Sequence, residues 1–171
     1  MSSKKEEKDG CSFLWQGFHG NVDVVTFSIF KDKEVQQVAL GDDHCLFLTK
    51  DGGVYVCGQN NYGQLGIGNL ETTDAYDPVL INSLTDKDIT QISCGTNHCA
   101  AVTKYGNVFC WGESKEGQCG IPEGSTSNYE CDNVVSTPQL VELVKTCDEV
   151  CEHGNTGPCE KILIKKVACG L

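Results

Sequence analysis

The sequence contains no arginine: all 13 of its basic residues are lysines, and they stand against 24 acidic residues. The formal net charge is −11 over 171 residues. Arginine supplies most of the bidentate contacts that proteins make to phosphates and base edges, so residue type and charge sign both disfavour nucleic-acid binding. A basic protein surface is easier for such a chain to accommodate, although acidity is also a common source of solubility.

Long apolar runs are missing as well. No run approaches the ~20 apolar residues of a membrane span, and the opening MSSKKEEKDG is not followed by the apolar core of a signal peptide. The sequence also lacks an N-x-[S/T] acceptor. We therefore predict a reducing compartment, the cytoplasm, in which most of the 12 cysteines stay reduced. Four of them fall at inward positions of predicted strands and are interpreted as small core residues: Cys45, Cys94, Cys99 and Cys110.

Proline is scarce, with 4 residues, whereas glycine is abundant, with 19. This balance is typical of short strands joined by many tight turns. Hydrophobic residues make up 39% of the chain, enough for a packed core, and the length is that of a single domain.

A repeat organises the chain. The stretch Gly41–Gly66 returns without a gap at Gly95–Gly120, at a constant offset of 54 residues. A repeat of this length indicates stacked or radially arrayed units. We interpret the recurring positions as scaffold residues: Gly41, His44, Gly52, Gly58, Gly63 and Gly66 in the first copy, and Gly95, His98, Gly106, Trp111, Gly112, Gly117 and Gly120 in the second.

Each copy contains four short apolar stretches separated by turn signals. In the first copy these are residues 35–40, 44–49, 54–58 and a stretch around 78–81. Asp51-Gly52 lies between two alternating runs, which is a strong hairpin signal. Four short strands in ~50 residues are typical of one propeller blade, so the predicted fold class is all-β.

The repeat also sets the predicted segment boundaries. Residues 1–10 are predicted to form a disordered tail and residues 11–34 to hold the strands of a degenerate repeat. Residues 35–88 form the first blade, and residues 89–163 form the second, with an insertion at 122–161. The match of Lys165–Gly170 to Thr90–Gly95 predicts that a third repeat begins at residues 164–171.

The motif G-x-x-H-x-x-x-[LV]-T-x-x-G-x-V-[YF]-x-x-G-x-x-x-x-G-Q-x-G, which both copies carry, resembles the repeat of the regulator of chromosome condensation family. This resemblance implies a seven-bladed propeller, of which the chain would hold two whole blades and pieces of others. One position departs from the family pattern, because Cys57 stands where the family usually has tryptophan.

Within that family, four features are similar to the amino-terminal propellers of alsin-type guanine-nucleotide exchange factors. They are the Met-x-Ser-Lys-Lys start, Trp15-Gln16, the Gln37–Gly41 stretch and the Ala101–Cys119 stretch. Such factors act on small endosomal GTPases through exchange domains that are absent here. The resemblance therefore implies a docking or regulatory role, with a small GTPase or the missing blades as partner and endosome association through partners.

Catalytic and ligand-binding interpretations compete with this structural one. His44 and His98 could act as ligands or as acid–base groups, but their periodicity favours a scaffold role through hydrogen bonds to neighbouring backbone. The Gly63–Gly68 run superficially suggests a phosphate loop, yet it lacks the Lys-[Ser/Thr] of nucleotide-binding loops. The sequence shows no recognisable catalytic motif, so we predict no enzyme activity and no cofactor.

One constellation lies outside the repeat pattern. Cys147, Cys151, His153 and Cys159 offer four soft ligands, the number that tetrahedral zinc takes. Their spacing matches no standard zinc finger, and a solvated acidic loop is the alternative interpretation.

Binding is expected on the loops, because the loops differ between the copies and the strands do not. The predicted function is a non-catalytic protein-interaction module; the alternatives are direct nucleotide exchange on a small GTPase and a truncated product without independent function. The outer apolar face of each terminal blade is expected to lie uncovered. The candidate interaction loops are Asn60 to Tyr62 (Asn60, Asn61, Tyr62), Asn69 to Tyr76, Lys115-Glu116 and Pro122 to Ser136.

Overall fold

The fold is given by a computed structural model, which describes residues 11–16, 22–68, 70, 74–121, 134–143 and 162–170. The predicted tail at residues 1–10 and nearly all of the predicted insertion lie outside these residues. So do Cys147, Cys151, His153 and Cys159, whose zinc hypothesis stays a prediction.

Ten strands and two short 3-10 turns form the described part of the chain. The 3-10 turns are Ser28–Phe30 and Asn82–Leu84. The strands are β1 (Cys11–Gln16), β2 (Val22–Phe27), β3 (Val35–Leu40), β4 (His44–Thr49), β5 (Val54–Gln59), β6 (Asp74–Leu80), β7 (Ile89–Cys94), β8 (His98–Thr103), β9 (Val108–Glu113) and β10 (Val134–Val141).

The strands form two antiparallel four-stranded sheets and a separate hairpin. Blade one has the order β3-β4-β5-β6, blade two has the order β7-β8-β9-β10, and β1 pairs with β2. Each blade thus runs from its first strand to its fourth in chain order, as consecutive hairpin connections require. The predicted all-β fold, a partial propeller with two four-stranded blades, is confirmed. No helix in the described ranges combines the length and the apolar character needed to cross a bilayer.

Both blades share the same irregularities in strand pairing. In each, the first pair of strands shifts register after its first residue, between Val35 and Gln37 in blade one and between Ile89 and Gln91 in blade two. The third and fourth strands shift where the outermost strand carries proline, at Pro78 and Pro138. Proline has no N–H to donate, so it fits an edge strand at a bulge.

The outermost strands begin earlier than the loop predictions assumed. β6 starts at Asp74 and β10 at Val134. The ends of the candidate loops Asn69 to Tyr76 and Pro122 to Ser136 are therefore strand residues. A hydrophobic period of two is hard to see in these strands because each contains a bulge that interrupts the alternation.

The main core lies between the blades. Leu46, Leu48 and Val56 of blade one pack with Ala101, Val102 and Trp111 of blade two in one buried cluster. The innermost strands also approach closely: a Cβ on Gly41 would lie 2.6 Å from the carbonyl oxygen of Gly95. Only glycine fits there, because any side chain would separate the two blades.

The outer face of blade one is covered, contrary to the expectation of an open face on each side. Phe27 and Phe30, which precede β3, contact the rings of Phe47 and Tyr55 at centroid distances of 5.1 to 5.7 Å. Phe47 and Tyr55 are buried as a result. The segment before the first blade therefore closes the side that a preceding blade would otherwise cover.

The outer face of blade two is only partly covered. Residues 162–170 lie beside β7 without strand assignment, and Ile164 donates a hydrogen bond to the carbonyl of Gly106 (3.1 Å). An open groove remains between Val108, Val141, Leu143 and Ile162. Large apolar side chains at its border stay exposed: Leu140 at 48% and Leu163 at 64%. The start of a third blade at 164–171 stays a prediction.

We expect the isolated chain to self-associate through this face, because contiguous exposed apolar surface drives association. The double substitution Leu140→Lys with Leu163→Lys should shift the chain toward monomer in light scattering and sedimentation. The matched control is Val24→Lys, which changes an exposed apolar residue elsewhere and should leave the self-association constant within about twofold. A wild-type chain that stays monomeric at micromolar concentration contradicts the prediction.

Candidate functional site

The contact between blades is centred on the indole of Trp111. It is fully buried and donates a hydrogen bond from Nε1 to the carbonyl oxygen of Gln64 (3.0 Å), in the loop between β5 and β6. Gly66, in the same loop, has a φ of +67°. A Cβ on Gly66 would lie 2.6 Å from the indole nitrogen. The Gly-Gln-x-Gly motif of blade one thus accepts the hydrogen bond of Trp111 from blade two and provides the space for its indole ring.

A glutamine side chain provides the second link between the blades. The amide of Gln37 donates to the carbonyl of Ile92 (2.8 Å) and accepts from its N–H (3.0 Å). Gln91, at the same position of blade two, makes the same pair of bonds to Val167 (2.9 and 3.0 Å). The side chain therefore replaces the strand that would pair with these backbone groups near the propeller axis.

The periodic histidines do not have the same environments. His44 is fully buried, and its Nε2 lies 3.0 Å from Sγ of Cys99, which belongs to blade two. Its recorded partner is therefore a thiol rather than the expected backbone group. Its Nδ1 is buried with no hydrogen-bond partner among the described residues. His98 is only half-buried, and desolvation, followed by the nearby His44, lowers the pKa of its imidazole.

The thiols differ in their electrostatics. A hydrogen bond from Cys99 is the main reason why the pKa of Cys94 falls to about 6, whereas burial raises the pKa of Cys99 far above its ordinary range. Burial also raises the pKa of Cys110 to about 12 and that of Cys119 to about 11. Cys110 and Cys119 thus behave as neutral core residues, while the Cys94 thiol is poised to ionise near neutral pH.

A second pair of thiols lies on the outer side of blade one. Cys45 and Cys57 face each other across β4 and β5, with Sγ atoms 3.2 Å apart. Cys57 is the position at which the family usually has tryptophan. The aromatic residues that cover this face pack in the same cluster as Cys45 and Cys57.

The candidate interaction loops lie at one end of both blades. Antiparallel order places the turns 41–43 and 95–97 at the same end as the loops that follow β5 and β9. Backbone bonds tie them together: Gln59 donates to Asp43 (2.8 Å), Glu113 to Asn97 (2.9 Å) and Asp42 to Thr96 (3.4 Å). We call this end the acidic rim: residues 41–43, 59–68, 95–97 and 113–120.

The charge of the acidic rim is one-sided. Its charged residues are the four acids Asp42, Asp43, Glu113 and Glu116 and the single base Lys115. At the opposite end the turns after β4, before β7 and after β8 alternate the two signs, with the ion pairs Lys50–Glu34 (2.5 Å) and Lys104–Asp88 (2.6 Å). The acidic rim is therefore the end of the blades suited to a basic surface.

The five candidate interaction residues are not equivalent. Asn60 is buried, and its side-chain oxygen accepts from the N–H of Leu65 (3.1 Å), so it shapes the loop instead of facing a partner. Asn61, Tyr62, Lys115 and Glu116 are all exposed. The backbone N–H groups of Tyr62 and Glu116 each donate to a glutamine two residues later (2.8 Å), which holds the two loops in one shape.

Reasoning from the sequence missed two features of this region. Gln37 and Gln91 recur at the offset of 54, so the repeat alignment contained the signal for them, although polar residues in strands were not expected to bridge blades. The approach of His44 to Cys94 and Cys99 had no such signal, because the three residues belong to different strands of different blades.

Comparison with known protein families gives a match over most of the chain. The pattern of the regulator of chromosome condensation (RCC1) repeat matches residues 51–102 and 105–170. A second pattern of the same repeat matches residues 35–64 and 89–118. The two matches begin at different strands, as expected for a circular array in which the choice of repeat start is arbitrary.

Individual relatives differ in what they do. The chain is 40% identical to the ultraviolet-B receptor UVR8 of Arabidopsis thaliana over 110 residues, which are 64% of this chain and 23% of that protein. It is 40% identical to the X-linked retinitis pigmentosa GTPase regulator of Mus musculus over 95 residues, 56% of this chain and 9% of that protein. The crystal structure of human WBSCR16 superposes with a TM-score of 0.58 at 32% identity, covering 69% of this chain and 27% of that one. The chain thus spans less than a quarter of either curated relative.

Gly66→Ala should destabilise the chain by about 2–4 kcal/mol, because a Cβ there adds overpacking against Trp111 to the strain of a positive φ. Gly117→Ala is the matched control: it lies in the same motif of blade two at a φ of +75° with no atom within 4 Å of its Cβ. Its cost should be only about 1–2 kcal/mol. Urea unfolding measures both, and equal costs would show that the indole does not fill the loop.

Gln37→Ala should lower the free energy of unfolding by about 1–2 kcal/mol, because it leaves the N–H and C=O of Ile92 unpaired between the blades. Gln36→Ala, on the exposed face of the same strand, serves as the control and should change it by less than about 0.5 kcal/mol. Thermal melts followed by circular dichroism distinguish the two variants. Indistinguishable melts would show that Gln37 does not stabilise the contact between the blades.

Proposed function

This chain belongs to the regulator of chromosome condensation (RCC1) repeat family, and we propose that it is a protein-interaction module of a GTPase regulator, whose acidic rim docks a basic partner surface. The observation that carries the proposal is the distribution of charge. His44 and Trp111 of the scaffold are buried between the blades, whereas the charges of one rim are almost all negative.

The chemistry of the rim supports binding and not catalysis. Asn61, Tyr62 and the neighbouring carboxylates offer hydrogen-bond acceptors and one exposed aromatic ring, which are common in protein interfaces. Of the two periodic histidines, which are the obvious acid–base candidates, His44 is buried between the blades and His98 is half-buried on the side of blade two that faces residues 162–170. We therefore assign the rim a docking role.

The GTPase connection rests on relatives. One relative is named as a GTPase regulator, and an alsin-type exchange factor is the more specific form of the same proposal. A small GTPase would then be held by the propeller while exchange is performed by other parts of a longer protein. Direct exchange by this chain is the competing function, and it predicts nucleotide release.

The test is a binding assay with a panel of purified small GTPases at low and physiological salt, combined with release of a fluorescent guanine nucleotide. Docking predicts binding to at least one GTPase that weakens with salt, without faster release. Accelerated release at substoichiometric chain would favour direct exchange. Failure to bind any member of a broad panel, at either salt concentration, contradicts the GTPase part of the proposal.

Charge reversal on the rim gives the sharper prediction. Asp42→Lys with Glu116→Lys should weaken binding about tenfold, mainly through the association rate, because exposed charge pairs each contribute about 0.2–1 kcal/mol. The control is Asp32→Lys with Glu34→Lys, which makes the same change of charge at the opposite end of the blades. Equal losses in the two variants would indicate a general charge effect and no docking surface at the rim.

A further inference from the structure

Three potential metal ligands meet at the contact between the blades, apart from the surface proposed for docking. His44 begins β4 in blade one, Cys94 ends β7 in blade two, and Cys99 lies opposite Cys94 in β8. The Sγ atoms of the two cysteines are 4.0 Å apart, and Nε2 of His44 is 3.0 Å from Sγ of Cys99. The three ligand atoms all lie within 4.8 Å of one another.

These distances suit a tetrahedral ion. Zinc binds thiolate sulfur at about 2.3 Å and imidazole nitrogen at about 2.0–2.1 Å, so two sulfurs of one site lie about 3.8 Å apart and sulfur and nitrogen about 3.5 Å apart. The separation between the two sulfurs and that between Nε2 and the Cys99 sulfur differ from these values by about half an ångström or less, and the separation between His44 and the Cys94 sulfur is no more than 4.8 Å. Small side-chain rotations can therefore bring the three atoms around one ion without moving the strands.

The chemistry of the cluster selects a soft divalent cation. Two thiolates and a neutral imidazole are ligands that such ions prefer over oxygen. The two negative charges would cancel those of the ion, so the blade contact would hold no net buried charge. Binding would release to solvent any proton that the two thiols still carry, and a water molecule would be the fourth ligand beside the partly exposed Cys94.

Without an ion, the imidazole of His44 has only a weak hydrogen-bond partner. His44 is fully buried, and its Nε2 lies 3.0 Å from the thiol sulfur of Cys99. Thiols are weak hydrogen-bonding groups, so a buried ring held only in this way is unusual for a native core. The other close thiol pair, Cys45 and Cys57, has no histidine within hydrogen-bonding distance in the described structure.

We propose that His44, Cys94 and Cys99 form a zinc-type metal site that fastens blade one to blade two. Two of its ligands come from blade two and one comes from blade one, so the ion would stabilise the angle between the blades. His98 and Cys169 occupy the corresponding sequence positions in the next copy, and the third position falls beyond residue 171.

The binding test uses the full chain with Cys147→Ser and Cys151→Ser as background. These substitutions remove two of the four ligands of the zinc site hypothesised for residues 147–159. Cobalt(II) is the probe, because thiolate ligation gives it intense charge-transfer absorption, and competition with Zn²⁺ then gives the zinc affinity. We expect one equivalent to bind, and the affinity to fall at least about tenfold in Cys99→Ser and Cys94→Ser. Cys110→Ser, a buried cysteine of the same blade outside the cluster, is the control.

Either of two results of the cobalt titration would contradict the site. No thiolate band in the background chain, or a band unchanged by both Cys94→Ser and Cys99→Ser, overturns the proposal. Circular dichroism without added metal shows whether each variant still folds.

A second measurement does not depend on any variant that could unfold. The unsubstituted chain is alkylated with iodoacetamide in Zn²⁺ or in chelator, and each cysteine is quantified by mass spectrometry. We expect Zn²⁺ to slow the modification of Cys94, the partly exposed thiol of the cluster, at least about fivefold, while Cys45 and Cys57 change little. Protection confined to residues 147–159, or no protection at any cysteine, rejects the site.

Discussion

The structure depends on the packing of one blade against the next, and the buried indole of Trp111 is the centre of that packing. A large aromatic side chain brings most of the apolar burial, but its N–H must find a partner when it leaves water. The carbonyl of Gln64 supplies the partner, and the glycine at position 66 supplies the space. Trp111 of blade two therefore sets both the distance to blade one and the shape of the loop that follows β5.

The two outer faces of the blade pair differ in how they are covered. On the outer side of blade one, Cys57 replaces the usual tryptophan, and Phe27 and Phe30 cover the face with their own rings. No loop of a preceding blade is needed there. On the outer side of blade two, by contrast, residues 162–170 supply the backbone partners of Gln91 but leave Leu140 exposed. Among the described residues, the outer face of blade two is therefore less completely covered than that of blade one.

The scaffold and the candidate function use separate residues. Residues that recur between the copies are occupied by contacts within and between blades, so they have little capacity left for a partner. The charged residues of the acidic rim differ between the copies, and its loops are held by hydrogen bonds that do not depend on the charged side chains. Charge can therefore vary there without disturbing the fold, which is the property that a docking surface needs.

The sequence by itself determined the all-β class, the two blades, their innermost three strands and the family, because these follow from a periodic pattern that needs no knowledge of distant contacts. The bounds of the outermost strands were predicted less accurately from the sequence, because the bulges at Pro78 and Pro138 interrupt the alternation of apolar and polar residues. Only the tertiary structure decided that Asn60 is buried, that the aromatic rings before β3 close blade one, and that Gln37 bridges to Ile92. It also brought His44 to Cys94 and Cys99, because residues from separate blades become neighbours only after packing has fixed the angle between the sheets.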